Sequence, residues 1–196
     1  MSTQEAGPAT ADADVTVVVL AGGTSRRFGS DKLAAPLRGS TVLDTVFASL
    51  PPGWPVVAVG PPRETDDDVT WTREDPPGGG PLAGVAAGIA LVPTELVAVV
   101  AGDMPDAGAV LVALVAALRA APPDICAVVA VDDGGVLNPL LAAYRTGAVR
   151  EVVPSPADGR PAKLLLSLPH LELVVSGFAA RDVDTPADLE ELDGPS

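Results

Sequence analysis

Short apolar runs alternate along this chain with stretches that carry apolar residues at helical spacing. Val15–Ala21 contains no charged residue and ends at Gly22, as expected of a strand buried on both faces of a parallel sheet. Leu96–Ala101 has the same character and ends at Gly102. Further strands are predicted over Pro55–Val59, Val69–Thr72, Ile125–Val131, Asn138–Tyr144 and Leu171–Val175.

Helices are predicted between these strands. Thr41–Leu50 places its apolar residues on one face, and Ser40 or Thr41 can serve as the N-cap. A long helix is expected over about Ala107–Ala120, with Asp106 as its cap. Shorter helices are predicted over Leu82–Leu91, Thr146–Val153, Lys163–Leu168 and Pro186–Leu192.

This alternation of strands and helices favours an α/β fold, in which helices cover both faces of a mostly parallel sheet. Ligands of such sheets bind beyond the carboxyl ends of the strands. Residues 1–14 show no periodicity and are expected to form a disordered lead-in. Residues 15–196 contain no repeat and no long linker, so they are expected to form a single domain.

The net negative charge of the chain argues against polyanionic partners. Its 12 Lys and Arg residues face 26 Asp and Glu residues, giving a formal charge of −14, so neither nucleic acid nor an anionic membrane is expected as a partner. The single cysteine, Cys126, excludes an internal disulfide or a cysteine-based zinc cluster. The apolar runs are far shorter than the roughly 20 residues of a membrane-spanning helix. No secretory signal is recognisable, and a cytoplasmic, soluble protein is expected.

The loop after the first strand combines glycine with cationic residues. Gly22 and Gly23 allow a sharp turn whose main-chain N–H groups can hold an anion. Arg26, Arg27 and Lys32 add cationic donors suited to phosphate oxygens. The spacing is neither that of a Walker loop nor that of a G-x-G-x-x-G dinucleotide turn. The loop is therefore predicted to hold a polyphosphate.

Asp103 follows the second apolar run directly. A carboxylate at the carboxyl end of a parallel strand is well placed to hold Mg²⁺ together with substrate phosphates. The alternative is that Asp103 caps the helix that follows.

Several segments resemble one nucleotidyltransferase family. Residues 20–32 resemble the L-A-G-G-x-S-x-R-x-G-x-D-K signature of the nucleotidyltransferases that include molybdenum cofactor guanylyltransferase, and residues 79–84 resemble the G-P-L-A-G segment that lies against guanine and ribose there. Asp103 matches the magnesium aspartate of the family. The resemblance implies a Rossmann-like three-layer αβα sandwich. It also implies a set of nucleotide-binding residues, namely Leu20, Ala21, Gly22, Gly23, Lys32, Gly80, Pro81, Leu82, Gly84 and Asp103.

The second half of the chain resembles the same family less closely. Residues 138–144 resemble the x-P-L-x-x-x-Y stretch on the pterin side of the cleft, which makes Asn138 and Pro139 candidate substrate contacts. Arg160 lies in a Gly-Arg turn of the family type and either meets an anionic substrate or is solvated.

Residues 182–186 depart from the guanylyltransferase pattern. Guanylyltransferases usually carry Asn-x-Asn-Thr-Pro at this place, whereas this chain has Asp-Val-Asp-Thr-Pro, as cytidylyltransferases and sugar-phosphate nucleotidyltransferases often do. Asp182 is a candidate substrate contact. Asp184 is either a second metal ligand beside Asp103 or a helix cap.

The resemblance implies that GMP is transferred from GTP to the terminal phosphate of molybdopterin and that pyrophosphate is released. Arg26, Arg27 and Lys32 are the expected catalytic residues, and Mg²⁺ is the expected cofactor. A covalent intermediate is not expected, because the one histidine lies outside every motif. A monomer is expected, in transient contact with cofactor-biosynthesis proteins or molybdoenzyme chaperones. Two alternatives stay open: a cytidylyltransferase of the same fold, and a non-catalytic nucleotide-binding relative.

Overall fold

The computed structural model of the chain describes residues 14–23, 28, 31–176 and 182–193. The predicted lead-in lies outside these residues, except for Asp14. The strands are β1 Val15–Leu20, β2 Pro36–Leu37, β3 Ser40–Thr41, β4 Val56–Val59, β5 Val69–Thr72, β6 Leu96–Ala101, β7 Ala127–Val131, β8 Leu137–Arg145 and β9 His170–Val174. The helices are α1 Val42–Ser49, α2 Pro81–Ile89, α3 Gly108–Ala120, α4 Thr146–Val152 and α5 Pro186–Asp193, with 3-10 helices over Lys32–Ala34 and Ala162–Ser167.

The main sheet has the strand order β5-β4-β1-β6-β8-β7-β9 within the described residues. Every neighbouring pair is parallel except the two pairs that involve β8, which runs antiparallel to both β6 and β7. The chain adds β4 and β5 on one side of β1 and then returns to place β6 on the other side. The loops after β1 and β6 therefore diverge at a topological switch point, where ligands of open α/β sheets bind.

Helices cover both faces of this sheet, as the alternating sequence pattern predicts. Val17 and Val19 of β1 belong to a buried cluster with residues of α1 and α3. Val18 points to the opposite face and belongs to a second buried cluster with Leu82 and Val85 of α2. Because successive side chains of a strand alternate between faces, the apolar run of β1 supplies both clusters at once. The three-layer α/β arrangement is confirmed.

The predicted strands and long helices are present, with ends that differ by up to two residues from those expected. Thr41 caps α1 as predicted, since its Oγ1 accepts a hydrogen bond from Asp44 N at 3.1 Å. The short β2–β3 hairpin was not predicted, because strands of two residues carry no periodic signal. No helix among the described residues is long and apolar enough to cross a membrane.

The prediction that Asp106 caps α3 is wrong. The N-cap position is occupied by Ala107, and no side chain caps the helix. The Asp106 carboxylate instead accepts two hydrogen bonds from the guanidinium of Arg38, which lies at the tip of the β2–β3 hairpin. A bidentate pair with arginine is stronger than a cap bond to a main-chain N–H, so the long-range partner takes the carboxylate.

Gly108 packs against the last residue of α1, and this contact yields a test of the fold. A Cβ on Gly108 would lie 1.8 Å from the carbonyl oxygen of Ser49, so Gly108→Ala must force the two helices apart. We expect a loss of stability of about 1–3 kcal/mol, as for other overpacked cores, measured by urea unfolding.

Gly147→Ala is the matched control for that variant. Gly147 also lies in a helix, but a Cβ there meets nothing within 4 Å. Alanine at this position should leave the free energy of unfolding unchanged or raise it slightly. Equal stability of the two variants would contradict the close contact between α1 and α3.

Candidate active site

A cleft of about 810 Å³ opens at the edge of the sheet where the parallel strands end. Its lining includes residues that closely follow four of these strands, namely Gly22 after β1, Gly60 after β4, Arg73 after β5 and Asp103 after β6. Leu140 of the antiparallel β8 extends the lining beyond β6. The cleft thus lies over the switch point between β1 and β6.

The turns at the bottom of the cleft pack main chain against main chain. Ala21 N donates to Val59 O at 2.8 Å, and Gly102 N donates to Leu20 O at 2.9 Å. A Cβ on Gly60 would lie 2.5 Å from the carbonyl oxygen of Ala21, so the turns after β1 and β4 leave no room for a side chain between them. The cleft therefore has a floor of closely fixed backbone.

The glycine pair after β1 opens onto the cleft. Gly22 and Gly23 are exposed and line it, and Gly23 has a φ of 128°, which disfavours any residue with a side chain. Phe28, farther along the same loop, also lines the cleft. Arg26 and Arg27, predicted as catalytic, lie outside the described residues.

Lys32 is fixed where this loop rejoins the fold. Asp31 caps the short helix Lys32–Ala34 by accepting a hydrogen bond from Leu33 N at 3.2 Å, and Leu33 is buried in the core. The Nζ atom of Lys32 contacts Oδ2 of Asp103 and lies 3.4 Å from Oδ1 of Asp184. The predicted loop lysine and the predicted strand-end aspartate are therefore brought into direct contact.

The Lys32–Asp103 ion pair is largely shielded from solvent, with side chains 19% and 16% exposed. Burial lowers the pKa of Lys32, but the hydrogen bonds and charges of Asp103 and Asp184 outweigh it and hold this pKa above its ordinary value. Lys32 is therefore a full positive charge at neutral pH.

Three carboxylates meet beside this ammonium group. Val183 is fully buried, and its N–H donates to the carbonyl oxygen of Asp103 at 2.9 Å. This main-chain bond brings the flanking Asp182 and Asp184 to Asp103, so that one carboxylate oxygen from each of the three lies within 4.8 Å of the others. Burial raises the pKa of Asp182, and the neighbouring charges of Asp184 and Asp103 raise it further.

The carboxylate cluster of Asp103, Asp182 and Asp184 fits a divalent cation. Oδ1 of Asp103 is buried and has no hydrogen-bond partner within the described part of the chain. A buried acceptor without a partner is uncommon in proteins and is relieved when a cation binds it. Hard divalent cations such as magnesium and manganese take oxygen ligands of this kind.

The alternative role of Asp184 as a helix cap is wrong, because Thr185 caps α5. Thr185 Oγ1 accepts a hydrogen bond from Asp188 N at 3.3 Å, and Asp188 Oδ2 accepts one from Thr185 N at 2.6 Å. This reciprocal pair is a capping box. The side chain of Asp184 is left to face Lys32.

The glycine-rich segment before α2 forms another wall of the cleft. Gly80 is the N-cap of α2 with a φ of 91°, Pro81 is the first helical residue, and no side chain caps this end. N–H groups of the first helical turn are therefore left for a ligand, at the positive end of the helix dipole. Gly80, Pro81 and Gly84 line the cleft, whereas Leu82 is fully buried in the core.

The residues predicted to bind the acceptor are only partly brought to the cleft. Asn138 and Pro139 lie in β8 next to the lining residue Leu140, and Asn138 Oδ1 accepts a hydrogen bond from Leu140 N at 2.9 Å. Arg160 is exposed and is not part of the lining. Asp182 lies in the carboxylate cluster.

Two lining residues with functional side chains, Arg73 and Glu74, were missed from the sequence. Both follow β5, whose carboxyl end faces the cleft, so the strand-end rule could have found them. Glu74 Oε1 accepts a hydrogen bond from Gly78 N at 3.0 Å and so fixes the approach to α2.

Comparisons of the sequence with known proteins agree with this geometry. Residues 17–171 match the sequence profile of the MobA-like NTP transferase domain. A Deinococcus radiodurans protein named "Probable molybdenum cofactor guanylyltransferase" is 32% identical over 185 residues, which cover 92% of this chain and 94% of that protein. A Chloroflexus aggregans protein of the same name is 34% identical over 142 residues, covering 67% and 66% of the two chains.

Solved structures share the fold. Molybdopterin-guanine dinucleotide biosynthesis protein A from Archaeoglobus fulgidus superposes with a TM-score of 0.70 at 23% identity, covering 91% of this chain and 96% of that one. A Mycobacterium tuberculosis protein solved in complex with manganese superposes with a TM-score of 0.57 at 20% identity, covering 92% and 98%. From the profile match over most of its length and the similarity to the Deinococcus protein, it follows that this chain belongs to the MobA-like NTP transferases, a family of nucleotidyltransferase enzymes.

Proposed function

We propose that this enzyme transfers GMP from GTP to the terminal phosphate of molybdopterin and releases pyrophosphate. The observation that carries the proposal is the contact of Lys32 with Asp103 and Asp184, between the glycine loop after β1 and the uncapped start of α2. A cation, a cluster of carboxylates and unpaired main-chain donors are the groups that a nucleoside triphosphate and its metal ion require. The names of the curated relatives supply the acceptor and the base.

The chemistry is an in-line displacement at the α-phosphorus of GTP. A phosphate oxygen of the acceptor forms the new bond to the α-phosphorus, the bond to the bridging oxygen of the β-phosphate breaks, and pyrophosphate leaves. Both reactants are anions, so the protein must align them and neutralise their charge rather than provide a nucleophile. Lys32 places a positive charge at this point, and Arg26 and Arg27 of the same loop are proposed to assist it on the departing pyrophosphate.

Asp103, Asp182 and Asp184 are the residues that would hold Mg²⁺. The ion, when bound, neutralises charge on phosphate oxygens. Lys32 contacts the same carboxylates that such an ion needs, so cation binding requires the lysine to exchange these partners for phosphate oxygens. The triphosphate offers that replacement, and nucleotide and metal are therefore expected to bind together.

Guanine is favoured by the chemistry of the wall near α2. Gly78 and Gly80 leave a slot without side chains, and Glu74 stands beside it. Oε1 of Glu74 accepts from Gly78 N, while a carboxylate has acceptor capacity to spare for the N1–H and amino group of guanine. Cytosine lacks this pair of adjacent donors. The Asp-Val-Asp sequence around Val183 instead favours the cytidylyltransferase alternative.

The acceptor is proposed to lie over β8. The glycine loop and α2 flank Asp103 on the side of β1 and β4, and the cleft continues on the other side of β6 towards Leu140. An acceptor on that side meets the α-phosphorus from the face opposite to pyrophosphate, as in-line displacement demands. Asn138 and Pro139 remain proposed contacts at this end. Arg160 remains a proposed contact with an anionic substrate, but it adjoins Gly159, whose N–H donates to Gly79 O before α2.

The base and the reaction can be tested on the unmodified protein. GTP with Mg²⁺, at 100 times its dissociation constant, should stabilise the fold by about 2.7 kcal/mol in a thermal-shift measurement, and CTP and ATP should stabilise it less. Incubation with molybdopterin and labelled GTP should yield a guanine dinucleotide and pyrophosphate. A selective response to CTP would overturn the base assignment, and a response to nucleotide without any product would favour a non-catalytic relative.

Lys32→Ala should have opposite effects on turnover and on metal binding. Removal of one electrostatic stabiliser should lower turnover at least ~100-fold. Removal of the ammonium from the carboxylates should tighten Mn²⁺ binding in the absence of nucleotide, as measured by calorimetry. Lys163→Ala, which changes the other lysine at an exposed position, should alter neither quantity. Weaker Mn²⁺ binding by Lys32→Ala would show that the lysine does not compete with the ion.

Asp103→Asn tests the metal site without relying on catalysis. Added Mn²⁺ should raise the melting temperature of the wild-type protein, because the ion binds the folded carboxylate cluster. The variant should lose most of this rise and its metal-dependent activity. Asp66→Asn changes an exposed aspartate that does not line the cleft. This control should keep both the rise in melting temperature with Mn²⁺ and the metal-dependent activity. An undiminished rise in Asp103→Asn would place the ion elsewhere.

A further inference from the structure

Strand β8 is interrupted by a bulge next to the cleft. Val129 of β7 pairs with Ala142, but the following residue, Ala130, pairs with Asn138. Residues 139–141 are therefore left without a partner on β7. Leu141 still pairs with Val100 of β6, so the pairing of β8 with β6 is regular over residues 141–145. Bulges of this kind commonly redirect a side chain beside a functional site.

Two side chains within β8 close this bulge. Asn138 Oδ1 accepts a hydrogen bond from Leu140 N at 2.9 Å, and the hydroxyl of Tyr144 donates to the carbonyl oxygen of Pro139 at 2.7 Å. Leu140, between these two bonds, is the residue of the bulge that lines the cleft. The position of Leu140 therefore depends on both bonds.

Tyr144 is a rigid anchor for its end of the bulge. It is fully buried and lies in the regular part of β8, paired with Val97 on one side and with Ala127 on the other. Burial raises the pKa of its hydroxyl well above the ordinary range, so the hydroxyl remains a donor at any working pH. A buried tyrosine hydroxyl usually has a hydrogen-bond partner, and here the partner is the carbonyl oxygen next to Leu140.

We propose that Tyr144 is a positioning residue for the acceptor half of the active site, acting through the Pro139 carbonyl to hold Leu140 at the cleft. The inference rests on the proposed function, since it takes the β8 side of the cleft as the acceptor side. Tyr144 itself touches no substrate. Its hydroxyl selects the bulged conformation of residues 138–141 over a regular strand or a mobile loop.

Tyr144→Phe removes only the hydroxyl and is the variant that tests this role. The KM for the acceptor should rise about 3- to 10-fold, the range that one lost buried hydrogen bond supplies, while kcat and the KM for GTP stay within about twofold. Leu140→Ala should likewise raise the KM for the acceptor and leave kcat and the KM for GTP nearly unchanged. The double variant should be no worse than Leu140→Ala alone if the hydroxyl acts through Leu140.

Thr94→Val is the matched control. It also removes a hydroxyl, at a half-buried residue, that donates to Leu96 O at 2.7 Å beside the amino end of β6, away from the cleft. It should lower stability without moving the KM for the acceptor. A rise in both KM values of Tyr144→Phe, or an unchanged KM for the acceptor, would overturn the positioning role.

Amide hydrogen exchange separates this inference from the proposed function. Without any substrate, Leu140 N–H should exchange at least several-fold faster in Tyr144→Phe than in the wild type, while Val97 N–H should be unaffected. Unchanged exchange at Leu140 would refute the role of Tyr144 whatever the enzyme transfers. If the wild type forms no dinucleotide, the proposed function fails, and exchange alone then decides whether Tyr144 holds the bulge.

Discussion

The ion pair between Lys32 and Asp103 exists because β1 and β6 are neighbours in the sheet although they are far apart in the chain. The loop after β1 leads to the lysine, and the aspartate follows β6 directly. Val183 then adds Asp182 and Asp184 through one main-chain hydrogen bond to Asp103. Lys32 and the three carboxylates proposed to hold the metal ion are thus brought together by this pairing of two strands. The remaining strands and helices supply the walls around it.

The charge of the molecule makes this local arrangement necessary. A chain with a formal charge of −14 repels nucleotides at long range, so a triphosphate has to be held by contacts made at short range. The main-chain N–H groups at the start of α2 and after β1 are proposed to make such contacts, and they do so without adding lysine or arginine. Arg26, Arg27 and Lys32, three of the 12 Lys and Arg residues, lie in one loop. A metal ion held by the carboxylates would supply more positive charge only when it binds. An acidic protein can in this way hold an anion at a single place.

Sequence patterns predicted those parts of the structure that depend on local physics. The apolar runs of β1 and β6, the glycines after β1 and the position of Asp103 directly after an apolar run are visible in neighbouring residues, so the sequence alone predicts them. Asp106 was misassigned because its partner, Arg38, comes from a distant hairpin that carries no periodic signal. The bulge in β8 and the closeness of Asp182 to Asp103 are set by tertiary hydrogen bonds. Such tertiary contacts cannot be recognised from the local pattern of hydrophobic and polar residues.

The contact between Gly60 and Ala21 bears on how this scaffold can diversify in evolution. The turns after β1 and β4 touch through backbone atoms. A mutation at Gly60 therefore cannot change the size or polarity of the cleft floor without disrupting this backbone contact. New preferences for a base or an acceptor must then arise at the rim, where Glu74 and Leu140 project side chains that substitution can alter. A fixed cleft floor with a rim that tolerates substitution would allow one phosphate-binding core to serve enzymes that differ in both the nucleobase and the acceptor.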